Sequence, residues 1–392
     1  MKKEIEQKNE LNSRRKREDK NSVLSRWKAK NNVQDMETNL NSILKAPMGS
    51  VLTPSQGQQR LWFLQSLKPN NLFYNYAESY SLKGKLHYEH LKKSLELIIK
   101  EQEILRSYYP LEKEIAYKTV PTLNVEIVNY DFSHLKEEEK QKHIHETIMK
   151  DARTSFNLQE APLWCVSLLK LASDLHVLVV TLHHIITDKW SMEIFRDRLA
   201  KHYTTLEKGE IAIAEPLTVQ YADYAYNQKR KTIDASQLNY WKNRLSENMP
   251  VLDLPLDYIR PTELSYKGGH NVQKYSKEFS KKVLDFSREV EVTPYVLMLS
   301  VYYVFLYRLT DEADIAIGSP ISNRSESALE KIIGFFNDTL VLRTQIDVSK
   351  SFVETLSDVR KMSLEAFENK DVPFEVLVKE INQKRSQLSN PF

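Results

Sequence analysis

Two adjacent histidines, His183 and His184, and a following aspartate, Asp188, come directly after the run Val177-Leu-Val-Val-Thr-Leu182. An imidazole can take or give a proton near neutral pH, so a histidine at the end of a rigid element is a candidate general base. The run before it is continuous, apolar and rich in β-branched residues, which predicts a central strand buried on both faces. Side chains alternate along a strand, so the two histidines are sent to opposite sides. That disfavours joint chelation of a metal and gives the rings different roles, one facing a cleft and one packed inward. Asp188 is within reach to orient the loop through a buried charge pair. The sequence offers no serine elbow GxSxG and no HExxH metal signature. A histidine without a partner nucleophile points to direct acyl transfer between two substrates, the imidazole accepting or orienting the proton of an amine or a hydroxyl. The competing reading makes both histidines satisfied polar groups at a strand end.

The elements that must hold these residues follow from periodicity. Residues 190–207 read as the helix after the strand. Glu89 to Glu103 is a helix with Leu91, Leu95, Leu97, Ile98 and Ile99 on its buried side, and Glu137 to Thr154 is a charged helix with Ile144, Ile148 and Met149 as its stripe. His143 and His145 on that helix do not share a face and read as solvated. Polar sequence at 208–216 and the charged stretch 228–248 separate a first half from a second. The second half is predicted to hold a buried core helix from Pro294 to Leu309, with Thr293 as its N-cap. It also holds strands Asp314 to Gly318 and Thr339 to Ile346, and a helix Phe352 to Glu368. The order is α/β with mixed sheets in two lobes, not a regular βαβαβ succession. The expected divisions are a polar arm over 1–48, a lobe over 49–227 carrying the histidine pair, and a lobe over 228–392.

Composition narrows the function classes. The 392 residues are 41% hydrophobic and 28% charged, with a net charge of +3, which favours no nucleic-acid partner. Only 8 glycines are present, and no GxGxxG or GxxxxGK[ST] loop, so a phosphate cradle is not expected. The single cysteine, Cys165, cannot form an internal disulfide, so a reducing cytoplasm is expected, with the thiol a buried small hydrophobe. The N-terminus has no apolar core and does not read as a secretory signal, and the 292–309 stretch is too short and polar for a membrane span. The first 48 residues, with the cluster Arg14-Arg-Lys-Arg17, read as a solvated arm or as a segment that docks a partner protein.

A set of ordered motifs carries a resemblance. His183-His-Ile-Ile-Thr-Asp-Lys-Trp-Ser191 resembles the HHxxxDGxS signature of the condensation domains of nonribosomal peptide synthetases. Leu52-Thr-Pro-Ser-Gln-Gly-Gln-Gln-Arg-Leu-Trp-Phe-Leu64 is similar to that family's SxAQxRLWxL, and Glu103-Ile-Leu-Arg-Ser-Tyr-Tyr109 to its RHExLRTxF. Tyr221-Ala-Asp-Tyr-Ala-Tyr-Asn-Gln228 resembles YxDYAxWQ, with Asn227 in place of tryptophan. Ile333-Gly-Phe-Phe-Asn-Asp-Thr-Leu-Val-Leu-Arg343 resembles IGxFVNTLxLR, and Asp371-Val-Pro-Phe-Glu-Val-Leu-Val378 resembles DVPFExLV.

The resemblance implies two chloramphenicol-acetyltransferase-like lobes in a V, with a tunnel that admits phosphopantetheine arms from opposite faces. It implies that no cofactor is bound and that the arms arrive on donor and acceptor carrier proteins or other synthetase modules. By the same likeness His184 is the catalytic residue, and His183, Asp188 and Arg60 are structural. Asp188 is expected to pair with Arg324 of Ile317-Gly-Ser-Pro-Ile-Ser-Asn-Arg324. Lys189, Trp190, Ser191, Asn337 and Asp338 are the positions at which the site would be tuned. Lys189 and Asn323 stand where the pattern has glycine, and Asp338 where it has asparagine. Lys189 either narrows the acyl site or depresses the basicity of His184, or else it turns to solvent. The family continues beyond Arg385-Ser-Gln-Leu-Ser-Asn-Pro-Phe392, so the second lobe is expected to lack its last strands. The function implied is amide formation between a carrier-bound acyl thioester and an amine, with an ester-forming variant as a branch. The alternative of another class is a catalytically impaired platform that recruits carrier or tailoring proteins.

Overall fold

The computed structural model describes residues 43–69, 71–245, 249–259, 268–269 and 271–381. The docking role expected of the arm up to residue 42, and the last motif at 385–392, lie outside the described residues. From Ala46 onward the described residues form one compact unit.

Helix α1 (Gln56–Leu67) opens the unit behind a capping box in which Ser55 and Gln58 satisfy each other's backbone. A four-stranded sheet follows, built from β1 (Asn75–Lys83), β4 (Ile127–Asp131), β5 (Trp164–Ala172) and β6 (Leu175–His183) in the order β1-β6-β5-β4. Its pairings are antiparallel except for the parallel β4–β5 pair, so the sheet is mixed. A short ribbon, β2 (Ser107–Tyr108) with β3 (Lys118–Thr119), lies apart from it. As expected, β6 is interior. It is hydrogen-bonded on both edges, and Leu178, Val179, Val180 and Leu182 are all buried. Its last residue, His183, pairs with Asn75, which sets the histidine pair at the end of β1.

Helix α2 (Tyr88–Glu101) buries the expected Leu91, Leu95, Leu97, Ile98 and Ile99. Helix α3 (Glu137–Ala152) starts with three glutamates, which suit the positive end of a helix dipole. It packs Ile144 and Ile148 on Leu169, Leu171 and Val179 of the sheet. Met149, expected in that stripe, is exposed instead. His145 is exposed, and His143 is half-exposed, stacked on Phe132 at 5.3 Å. Helix α4 (Lys189–Glu207) follows β6 through a single 3₁₀ turn, and Nε2 of its buried His202 donates to the buried carboxylate of Glu101 on α2 at 2.8 Å.

Residues 228–245 of the expected separator are not a bare linker. Helix α5 (Tyr221–Arg230) runs straight through the expected 227/228 division, and α6 (Ala235–Leu245) drives Trp241 and Leu245 into a second core. After α7 (Lys277–Glu289) come α8 (Pro294–Thr310), β7 (Asp314–Ser322), β8 (Asn337–Gln345), α9 (Phe352–Glu368) and α10 (Phe374–Glu380). β7 and β8 pair antiparallel, and in the described residues this sheet has two strands. Thr293 caps α8 as expected. The helix is buried on one side only, however. Leu297, Leu299, Tyr303 and Leu306 face the core, whereas Met298 and Phe305 are each 54% exposed. Among the described residues no single helix is long and apolar enough to cross a membrane.

Trp241 shows how far α6 belongs to the core. It is 1% exposed, and its indole N–H donates to the Asn369 carbonyl at 2.7 Å. Trp241→Ala is expected to lower the unfolding free energy by about 3–5 kcal/mol in a urea titration. A change within about 0.5 kcal/mol, the surface value, would return 228–248 to the status of a linker.

Candidate active site

The end of β6 fixes two different imidazoles. The backbone N–H of His183 donates to Leu163 O at 2.9 Å, and that of His184 to Tyr74 O at 2.7 Å, so strand pairing continues to the last residue. The chain then closes the 3₁₀ turn His184–Ile186. His183 is 1% exposed, and its Nδ1 accepts from the Ile185 N–H at 3.1 Å, which places the ring proton on Nε2. Burial, and then the neighbouring His184, push its pKa down to about 3. It is a neutral cap for the turn. His184 is half-buried and holds the opposite tautomer. Its Nδ1 donates to the Thr187 carbonyl at 2.9 Å, leaving the Nε2 lone pair free. Burial lowers its pKa against the opposing pull of the Thr187 carbonyl and Asp188, which favours the neutral base. The ring is flanked by Tyr76 of β1 at 5.3 Å and Phe335 at 5.8 Å, both edge-on. From below, fully buried Gln58 of α1 donates to the Ile185 carbonyl at 2.8 Å and to the Tyr109 hydroxyl at 2.7 Å.

Asp188 does not touch the His184 ring nitrogens. It is the N-cap of α4, its Oδ1 accepting from the Ser191 N–H at 2.7 Å and the Ser191 hydroxyl at 2.6 Å. The expected partner is present: Arg324 Nη2 donates to Oδ1 at 3.1 Å and Oδ2 at 3.3 Å, with both side chains almost wholly buried. Oδ2 also accepts from the Phe336 N–H at 3.2 Å. Ser191 Oγ bonds both ends of Gly334, accepting from its N–H at 3.0 Å and approaching its carbonyl at 2.9 Å. Arg324 Nη1 donates to the carbonyls of Leu329 and Ile332 at 2.7 and 2.6 Å, and its guanidinium lies 3.9 Å over the Phe336 ring. Trp190 adds an indole hydrogen bond to the Glu330 carbonyl at 3.1 Å. One carboxylate therefore ties the start of α4 to the segment 324–336, which carries Phe335 to His184. Gly334 is dictated by space, since a Cβ there would lie 2.0 Å from the Tyr221 ring.

The remaining sequence-chosen positions lie elsewhere. Lys189 is 68% exposed and bonds Glu78 at 2.7 Å, so its side chain turns to solvent, and it is not among the groups that perturb His184. Glu78 also accepts from the hydroxyls of Tyr76 and Tyr80, at 2.7 and 2.5 Å. Burial raises its pKa, but the bonds from Lys189, Tyr80 and Tyr76 outweigh that and hold it low. Arg60 pairs with Glu375 at 3.0 Å beside the Phe374 ring. Asp338 does not face His184 either. It caps the start of α10 through the Phe374 N–H at 3.3 Å and accepts from Asn323 at 3.2 Å, so two departures from the family pattern bond each other. Asn337, at the start of β8, pairs with Ser322. Cys165 is half-buried rather than buried, with its thiol pushed up in pKa by burial and 3.7 Å from the Thr154 hydroxyl. A cavity of about 610 Å³ opens between Pro54, Trp62, Ile115 and Gln228, and neither histidine lines it.

Tyr76, Glu78, Gln58 and Phe335 are site residues that sequence reasoning did not single out. Gln58 and Phe335 sit inside motifs already quoted. The spacing of Tyr76, Glu78 and Tyr80 is the period of one strand face.

Removing one member of the buried pair leaves a charge without a partner. Asp188→Ala is expected to cost about 3–5 kcal/mol of stability, read from urea unfolding. A loss under about 1 kcal/mol, the value of an exposed pair, would mean the clamp is not what joins these segments.

The model of the condensation-domain family matches residues 49–392. Two of the linear gramicidin synthase proteins of Brevibacillus parabrevis are similar to this chain, one 36% identical over 341 residues and the other 34% identical over 361 residues. Those stretches cover 86% and 91% of this chain but 7% and 5% of the synthases, so the chain spans a small part of the relatives it matches. Among solved structures, the X-domain from teicoplanin biosynthesis matches with a TM-score of 0.79 at 23% identity, over 89% of this chain and 78% of that one. The first condensation domain of the CDA synthetase matches with 0.70 at 18%, over 86% and 80%. The fold is thus the two-lobed mixed α/β fold expected from the motifs, and the chain belongs to the condensation-domain family of nonribosomal peptide synthetases, acyltransferases that form amide bonds.

Proposed function

We propose that His184 is the base with which this domain joins a carrier-bound acyl thioester to an amine. The observation that carries this is the tautomer. The Thr187 carbonyl accepts a hydrogen bond from Nδ1–H, so Nε2 is the basic atom, on a half-buried ring between Tyr76 and Phe335. As the amine attacks the thioester carbonyl, the new N–C bond forms and the C–S bond breaks. The amine proton passes to Nε2 and then to the departing thiolate of the phosphopantetheine arm. Thioester aminolysis runs downhill, so holding two tethered reactants together supplies much of the acceleration. His183, Asp188, Ser191, Arg324 and Gln58 act as positioning residues, and Arg60 as a structural charge. Donor and acceptor carriers, or other synthetase modules, deliver both substrates, and the polar segment 1–48 docks one of them. The chain passes from the first lobe to the second beyond α5, because α6 already packs in the second core.

A second reading, a platform that recruits carrier or tailoring proteins, draws support from one likeness. The X-domain of teicoplanin biosynthesis in its complex with OxyB matches this fold with a TM-score of 0.78. The free Nε2 favours the enzyme.

Mass spectrometry of product from two loaded carrier proteins tests the choice. The wild type is expected to form the amide. His184→Ala is expected to lose about 10²–10⁴-fold in rate, the usual contribution of a positioned base. The base acts unprotonated, so the rate is expected to hold at neutral pH and to fall on acidification, with a midpoint below the ordinary 6.5 because burial depresses this imidazole. Carrier binding without product in the wild type would favour the platform, and an undiminished rate in His184→Ala would remove this ring from the mechanism.

Lys189→Gly separates the exposed lysine from the chemistry. The side chain points to Glu78 and solvent, so the condensation rate is expected to stay nearly unchanged. A change of about tenfold, or 1.4 kcal/mol, would mean that the lysine reaches the reacting groups.

A further inference from the structure

At the far end of β1 from the His184 turn, three ligating side chains converge. His87 is the N-cap of α2, His90 lies in its first turn, and Glu207 is the last residue of α4. Nδ1 of His87 lies 2.6 Å, and Nδ1 of His90 2.7 Å, from the same oxygen, Oε1 of Glu207. The ligand atoms all lie within 4.8 Å of one another, and this is the one such group of three among the described residues. The fold enforces the meeting. Histidines three apart at a helix start share a face. Tyr203 of α4 accepts the His87 backbone N–H at 2.9 Å, and the buried Glu101–His202 bond joins the same two helices.

We propose that His87, His90 and Glu207 form a zinc site that clips the start of α2 to the end of α4. Two imidazoles and one carboxylate are the donor set that zinc prefers over the oxygen-only sets of magnesium and calcium. As hydrogen bonds, one carboxylate oxygen serves two ring protons. As ligands, the same three atoms surround a single cation that replaces those protons. Tetrahedral bonds of about 2.0–2.1 Å set ligand atoms about 3.4 Å apart, so each Nδ1 to Oε1 distance needs to widen by less than about 1 Å. The side chains are 44%, 36% and 29% exposed, which leaves them room to move and a fourth position for water. Strand β1 pairs Asn75 with His183 at one end and ends at Lys83 at the other, so the cluster lies roughly 27 Å of strand from the reacting ring. The ion holds two helices and takes no part in the acyl transfer.

The test uses the full chain, free of any affinity tag and stripped with a chelator, titrated with zinc against a chromogenic competitor at neutral pH. Wild type is expected to take up one equivalent, to melt at higher temperature with zinc than without, and to give the visible absorption of a tetrahedral site with cobalt. His90→Ala and Glu207→Gln are each expected to lose that equivalent and the thermal shift while keeping the wild-type circular dichroism. His143→Ala, at a surface histidine elsewhere, is expected to retain both. Absence of stoichiometric uptake in the wild type would leave the cluster as a hydrogen-bonded surface triad and overturn the proposal, as would uptake that survives both His90→Ala and Glu207→Gln.

Discussion

The carboxylate of Asp188 is the point on which the site depends. It receives the backbone and hydroxyl of Ser191, the guanidinium of Arg324 and the backbone of Phe336, all in a buried setting. An ion pair out of water is costly unless its remaining donors and acceptors are met, and here Arg324 Nη1 also satisfies two backbone carbonyls of the segment it anchors, while its buried Nε has no hydrogen-bond partner. The value of the arrangement lies less in net stability than in geometry. It sets the first turn of α4, and with it the turn that carries His184, against the strand entrance that carries Phe335.

Local chemistry then divides the histidine pair. Both residues belong to one strand end, yet one imidazole accepts a backbone N–H and the other donates to a backbone carbonyl. The first becomes a buried cap with an unprotonated Nδ1 already in use, and the second has its Nδ1 engaged and its Nε2 lone pair left over. Departures from the family pattern are absorbed by partners. Lys189 finds Glu78, and Asn323 finds Asp338. Each pair turns a polar intrusion into a satisfied contact, and neither bonds the His184 ring itself.

What was legible in the sequence was what periodicity and residue type encode locally. The β-branched apolar run before His183 reads as an interior strand and is one, but the strand ends at His183 and His184 opens a 3₁₀ turn, so alternation alone does not set the two rings apart. Asp188 and Arg324 were matched through the motifs that contain them. β1 was not legible, because the alternating face Tyr76, Glu78, Tyr80 and Leu82 of Asn75–Lys83 is interrupted by a carboxylate and backed by small polar residues. Its Tyr76, Glu78 and Tyr80 satisfy one another instead of entering a core. Helix α6 was hidden by its charge, since Lys242 and Arg244 flank the buried Trp241 and make a core helix look like a linker. The direction of Lys189 depends on a residue 111 positions away, a contact that composition cannot reveal. α8 misled in the other direction, being apolar enough to suggest burial all round while one face meets solvent.

The central claim is that His184 stands neutral at physiological pH with its proton on Nδ1 and its lone pair on Nε2. Nitrogen NMR of protein labelled in the imidazole rings, with His184 assigned by comparison with His184→Gln, measures this directly. The account predicts, at neutral pH, a protonated Nδ1 and a bare Nε2 that takes up its proton with a midpoint below the ordinary 6.5. A proton found on Nε2, or an imidazolium at neutral pH, would contradict it.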